Sequence, residues 1–395
     1  MAHLDAPQTR PEVEATVAAL VEEEHSHLGS WSKELVIDQV LSEVYGLGPL
    51  EPLMEDPAVS DILVTTATRV YVERHGKLVK TPVRFKDDAH LQRIIQKIVA
   101  RVGRRLDESS PMVDARLPDG SRVNAVVPPI AVDGPLLSIR RFPAPLSAAD
   151  LERAGALTPE MTDLLAAVVR ERYTVLITGG AGTGKTTLLN VLSAFIPADE
   201  RIVTIEDTAE LQLKQDHVVR METRPPNIEG SGAVTQRQLL INSLRMRPDR
   251  IIIGEVRGDE ALDMLQAMNT GNYGSLTTIH ANSCRDAVRR LELMVGLANP
   301  NLSSQSIRQQ ISATINLYVH IARLSDGTRR VVQVAESLDR EDGKVVLRDL
   351  FLFKMAGVSS DGTIEGRYET TKAVKPFLAT LQRSGQGIAG HPALP

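Results

Sequence analysis

Hydrophobic positions follow three different rhythms along the chain. Near the N-terminus Val13, Val17, Leu20 and Val21 recur at helical spacing, and so do Ile37, Val40, Leu41 and Val44. That spacing predicts two helices within 11–45. His25, Ser26, Gly29 and Ser30 break the pattern, and Gly46-Leu47-Gly48-Pro49 closes the segment as a turn. From 58 to 142 the runs shorten. Ile62-Leu63-Val64, Val70-Tyr71-Val72 and Leu78-Val79 read as strands, with His75-Gly76 as a hairpin turn. Leu91, Ile94, Ile95, Ile98, Val99 and Val102 mark one helical face, and Pro118-Asp119-Gly120 turns the chain between Ala115-Arg116-Leu117 and residues 123–127.

The third rhythm begins with a helix from Thr158-Pro159 to about Arg172. Unbroken apolar strands at 175–177, 202–205, 251–253 and 275–279 then alternate with helices. Strands without polar alternation are buried on both faces, so this half predicts an α/β fold with a mostly parallel sheet and helices on each side. The prolines and small residues of 143–157 read as a linker. The expected organisation is a helical segment over 1–55, a small α+β domain over 56–145, a linker at 146–157, an α/β domain over 158–384 and a disordered tail at 385–395.

Composition narrows the picture further. The hydrophobic and charged fractions, 42% and 24%, suit a globular protein, and an aromatic fraction of 3% makes its core aliphatic. A net charge of −5 argues against a protein that coats nucleic acid. Cys284 is the only cysteine, which excludes an internal disulfide and a four-cysteine zinc site. No run approaches the ~18–20 apolar residues of a membrane span. The N-terminus lacks a basic start followed by an apolar run. The expectation is a soluble, cytoplasmic chain that meets membranes only through partners.

Candidate chemistry gathers at the strand ends. GGAGTGKT at 179–186 fits G-x-x-x-x-G-K-[ST], and it lies between a predicted strand and a predicted helix. Gly179, Gly180, Ala181, Gly182, Thr183 and Gly184 would wrap phosphate with backbone N–H groups. Lys185 would reach the β- and γ-phosphates, and the Thr186 hydroxyl, followed by Thr187, would meet a magnesium ion. IIIGE at 251–255 ends a strand in Glu255, the place where such sites keep an acid that organises the metal. IVTIEDTAE at 202–210 offers Glu206 or Glu210 as a base to orient water. GSLTTIH ends in His280, which could sense the γ-phosphate.

These four elements, in this order, resemble the secretion and pilus-assembly ATPase superfamily. GGAGTGKTT is similar to its phosphate loop and RIVTIEDTAEL to its aspartate box. LRMRPDRIIIGEVR is similar to its second nucleotide motif, with glutamate for aspartate, and GSLTTIHAN to its histidine box. EVYGLGPLEPLMEDPAVSDILV and RVYVERHGKL resemble its N-terminal domain. RRVVQVAESLDREDGKVVLRDLFLF resembles the branch that assembles Flp-type (tight adherence) pili. The resemblance implies a RecA-like P-loop ATPase domain preceded by a smaller α+β N-terminal domain and N-terminal helices. It implies ATP and Mg2+ as cofactors, with Thr186 and Glu255 toward the metal. Glu210 would be the catalytic base, and Glu255 and His280 would act beside it. Arg122 and Arg140 would approach the γ-phosphate, with Arg141 as the adjacent alternative. It further implies a homo-hexameric ring that drives inner-membrane platform proteins, and the acidic net charge adds the expectation of no direct nucleic-acid contact. A type IV secretion ring ATPase, a nucleic-acid translocase, a small-molecule phosphotransferase and a nucleotide switch without turnover remain as alternatives.

Overall fold

The computed structural model describes residues 10–23, 32–74, 76–141, 146–224, 226, 231–338, 344–360 and 362–384. The expected helix breaks at 25–30, the turn at His75, the prolines at 143 and 145 and the tail at 385–395 lie outside them. The chain forms two compact units, Met1–Ala144 and Pro145–Pro395.

The first unit contains α1 (Arg10–Glu23), α2 (Lys33–Val44), α3 (Glu51–Glu55), β1 (Val59–Thr66), β2 (Arg69–Arg74), β3 (Lys77–Lys80), α4 (Asp88–Arg101), β4 (Met112–Arg116), β5 (Arg122–Val126) and β6 (Leu136–Arg140). The strands make an antiparallel sheet in the order β3-β2-β1-β6-β5-β4. Asp87 caps α4 by accepting from the His90 N–H at 2.7 Å. The apolar face of α4 then buries Leu91, Ile94, Ile95 and Ile98 with Ile62, Val72 and Ile139 of the sheet. A domain boundary at 55, expected from the sequence, is absent. Leu47, Leu50 and Leu53 are buried in that same core, so α3 and the turn before it are continuous with the sheet.

The second unit begins with α5 (Ala148–Arg153), α6 (Pro159–Arg170), β7 (Val175–Gly179), α7 (Lys185–Ser193), β8 (Ile202–Glu206) and β9 (Val218–Glu222). It continues through α8 (Gln236–Ser243), β10 (Arg250–Val256), α9 (Glu260–Asn269), β11 (Leu276–His280), α10 (Cys284–Ala298) and α11 (Ser304–Thr314). It ends with β12 (Leu317–Arg323), β13 (Arg329–Leu338), β14 (Val346–Val358), β15 (Ile364–Thr370) and α12 (Val374–Ser384). One sheet runs β15-β14-β13-β12-β7-β11-β10-β8-β9. It is parallel from β12 to β9 and antiparallel from β12 out to β15.

Strand side chains alternate between two cores. Val175, Ile177 and Ile252 pack with Met161, Leu188 and Phe377, whereas Leu176, Ile251 and Ile253 pack with Leu265, Leu291 and Ile311. Helices therefore cover both faces, as unbroken apolar strands require. Residues 146–157 are not a bare linker. Ser147 and Asp150 form a capping box that starts α5, and Leu151, Ala156 and Leu157 are buried in the first of those cores.

Candidate functional site

Parallel strands aim their C-terminal ends at one side of the sheet. At that side β7 runs into the glycine-rich loop and α7. Gly182 and Gly184 hold φ of 68° and 98°, a left-handed backbone that side chains resist. Gly179 answers a different constraint. A Cβ there would collide with the Ile321 carbonyl oxygen of neighbouring β12. The loop closes on itself as the Thr183 hydroxyl donates to the Gly180 carbonyl at 3.0 Å. It delivers the first-turn amides of α7, which have no partner within the helix and carry its positive end.

Lys185 is buried, and its Nζ donates to the Gly180 carbonyl at 3.0 Å. It also lies 3.3 Å from Nδ1 and 3.4 Å from Nε2 of His280. The contact follows from register, because β11 pairs with β7 so that His280 stands opposite Gly179. Nε2 of His280 is also 3.1 Å from Oε2 of Glu255, carried by the next strand, β10. Arg257 extends the chain of charges. Its Nε meets Oε1 of Glu255 at 2.8 Å and its Nη1 meets Asp207, just beyond β8, at 2.8 Å. One line of polar and charged side chains thus crosses four adjacent strand ends: Lys185, His280, Glu255, Arg257, Asp207.

Burial lowers the pKa of His280, and the Lys185 ammonium lowers it further, against the pull of Glu255. Both effects favour the neutral ring. With one donor and one acceptor, the network assigns Nε2–H to Glu255 and leaves the Nδ1 lone pair toward Lys185.

Glu206 ends β8 with 3% exposure. Its Oε2 accepts from the backbone N–H groups of Glu210 at 2.7 Å and Leu211 at 2.9 Å, while Oε1 finds no partner among the described residues. Burial pushes its pKa up to about 7. The glycine of IIIGE makes room for it, since a Cβ on Gly254 would lie 3.1 Å from the Glu206 Cγ. Glu206 therefore shapes the turn that carries Glu210. Of the two acids open to the base role, the half-buried Glu210 is the more accessible.

Lys185, His280 and Glu255, expected together, are in contact. Glu210 is bonded through its backbone N–H to Glu206 rather than to that cluster. Arg122 and Arg140 lie in the first unit, opposite each other on β5 and β6. The Nε of Arg122 donates to Asp114 at 3.0 Å, and Arg140 is exposed. Arg141 ties the sheet to the segment before β1, its Nη1 donating to the carbonyls of Asp56 and, at 3.0 Å, Val59. Sequence reasoning gave no role to Arg257, although it ends the motif GEVR. It also missed Gln236, whose Nε2 donates to the Glu255 carbonyl at 2.9 Å. An opposite charge two residues from an acid is the only local signal for the first. The second had none.

A family model described as type II/IV secretion system protein matches residues 43–369. A putative conjugal transfer protein of Mycobacterium tuberculosis is 40% identical over 311 residues, covering 77% of this chain and 88% of the relative. The type IV secretion system protein VirB11 of Brucella suis is 31% identical over 327 residues, covering 75% and 90%. The X-ray structure of the Legionella pneumophila ATPase DotB superposes with a TM-score of 0.52 at 19% identity, covering 86% of this chain and 85% of that one. At that identity the likeness concerns the fold alone.

Proposed function

The chain belongs to the type II/IV secretion system protein family, and from that premise we infer that it is a magnesium-dependent ATPase working as a cytoplasmic ring motor. The supporting observation is the phosphate loop whose buried Lys185 touches His280, itself paired with Glu255. In this reading the loop amides and Lys185 grip the triphosphate, and Lys185 leaves the Gly180 carbonyl for the phosphates. Glu210 orients the attacking water. Arg140 and Arg122 supply charge as the γ-phosphate departs.

The donors suit magnesium. Thr186 and Glu255 offer hard oxygens, and the described residues hold no group of three or more acids or histidines that would strip the ion of water. Thr186 would bind it directly and Glu255 through water, because both Glu255 oxygens already face His280 and Arg257. Bound there, magnesium would neutralise charge on the β- and γ-phosphate oxygens.

The finer reading is a homo-hexamer that drives inner-membrane platform proteins in Flp-type pilus assembly, as CpaF does. It is supported by the sequence resemblance, including the stretch now seen as β13 and β14. A motor for type IV secretion or conjugal transfer is the second reading, favoured by the names of the relatives at 31–40% identity. Among the described residues, no helix is long and apolar enough to cross a membrane, so contact with one would come through partners.

The test is ATP turnover by the purified full chain with magnesium, beside Arg140→Ala. The variant should still bind ATP but hydrolyse it at least ~10²-fold more slowly, within the scale of a charge-supplying arginine. Absence of turnover in the parent protein would overturn the enzyme reading. Unchanged turnover in the variant would remove Arg140 from the mechanism.

A further inference from the structure

The order of strands decides which way a nucleotide must point. β7, which feeds the phosphate loop, has β11 on one side and β12 on the other. His280, Glu255 and Asp207 all belong to the β11 side, at the ends of β11, β10 and β8. A terminal phosphate that is to be attacked faces those groups. The nucleoside end then extends the opposite way, toward the hairpin of β12 and β13.

That hairpin presents Arg329, an exposed residue opposite Arg323 in the strand register. The Nε of Arg329 donates to the Gly182 carbonyl of the phosphate loop at 3.1 Å, and its Cδ lies 3.6 Å from where a Cβ on Gly184 would stand. The support beneath it is braced. Asp326 accepts from the Thr328 N–H at 2.9 Å, the Thr328 hydroxyl at 2.7 Å and the Ile364 N–H at 2.9 Å, which ties the turn to β15. A fixed hairpin thus carries an exposed planar cation to the rim of the loop, on the side away from the acids. Aromatic platforms for a base are scarce. Tyr173 packs on Phe377, and Phe353 on Tyr368.

The geometry points to Arg329 as the residue that holds the nucleoside end of the bound nucleotide, its guanidinium stacked on the base. A guanidinium is weakly hydrated and flat, so it stacks on an aromatic ring where an ammonium does not. This inference rests on the ATP-binding reading and adds to it a means of telling a nucleotide from bare polyphosphate.

Binding of ADP and of inorganic tripolyphosphate, each with magnesium, is measured for the full chain, Arg329→Ala and Arg329→Lys, with thermal melting as the check on folding. Arg329→Ala should weaken ADP about 10-fold and tripolyphosphate less than about 2-fold, the scale of a stacked cation. Arg329→Lys should fall between, since it keeps the charge and loses the plane. Equal weakening of both ligands would show that Arg329 only shapes the loop, and unchanged ADP affinity would show that it does nothing; either overturns the inference and leaves the ATP site standing. A parent chain that binds neither ligand would overturn the ATP-binding reading, and this inference with it.

Discussion

The two ends of the parallel sheet use the same kinds of residue for opposite purposes. At the N-terminal end of β10, Arg250 has no exposure at all. It grips both oxygens of Glu200, at 2.6 and 3.0 Å, and donates to the carbonyls of Val169 at 2.6 Å and Gly274 at 2.9 Å. The backbone bends to fit it. Gly274 takes φ of 76°, and a Cβ there would lie 2.5 Å from the Arg250 Nη1. At the other end of the same strand, Glu255 shares a partly exposed polar line with His280 and Arg257, and nearby Glu206 keeps an oxygen with no partner among the described residues. A buried ion pair with its hydrogen bonds met is a fixed joint. Groups left under-satisfied at strand ends are free to take new partners, which a site for a charged ligand requires.

The largest expected effect separates the ends most sharply. Lys185→Ala should cut ATP turnover by ~10³-fold or more, the scale of lost charge stabilisation at a transferring phosphate. Its urea midpoint should stay near that of the parent. A large drop in that midpoint would mean that the C-terminal end is also structural. Next, Arg250→Ala should reverse the pattern. Glu200 would keep only its longer contact to Arg172, at 3.4 Å, and the loss should cost about 3 kcal/mol of stability by urea unfolding. The protein that remains folded should bind ADP normally, and a selective loss of binding would erase the contrast.

The smallest effect concerns Glu206 and depends on pH. Its folded pKa of about 7 lies above the ordinary 4.5, so between those values the folded protein holds a proton that the unfolded chain has released. Its burial costs nothing below pH 4.5, costs progressively more as pH rises toward 7, and reaches its full cost above 7. Glu206→Gln keeps an acceptor for the Glu210 and Leu211 N–H groups and removes the titration. It should stabilise the protein at pH 8 by up to ~3 kcal/mol and leave it unchanged at pH 4. Equal urea midpoints for variant and parent at pH 8 would show that the charged carboxylate has found a partner.

Much of this was legible in the chain. Local pattern placed α4 and α6, four of the parallel strands and the phosphate loop, because periodicity and glycine spacing are properties of neighbours in sequence. The antiparallel strands β13 to β15 were not read as part of the sheet. Their alternation is weak, with exposed Met355 and Val358 on β14, and successive pairing, β13 on β12, β14 on β13 and β15 on β14, is what makes them strands. The supposed linker looked featureless because a capping box and three buried side chains gain meaning only against α6 and the core.

For the site, the sequence by itself supplied the candidates: Lys185, Thr186, Glu255 and His280 stand at or beside the ends of segments whose type it fixes, and Glu210 was chosen over Glu206 by resemblance. Only the tertiary structure decided who touches whom. The strand order β7-β11-β10-β8 sets Lys185 on His280, His280 on Glu255 and Arg257 between Glu255 and Asp207. It also separated Glu206 from Glu210, and Arg250 from the other arginines, by burial. The reason is physical. Chemical identity belongs to the residue, whereas partners and the cost of charge depend on which distant strands lie alongside and how much water they exclude.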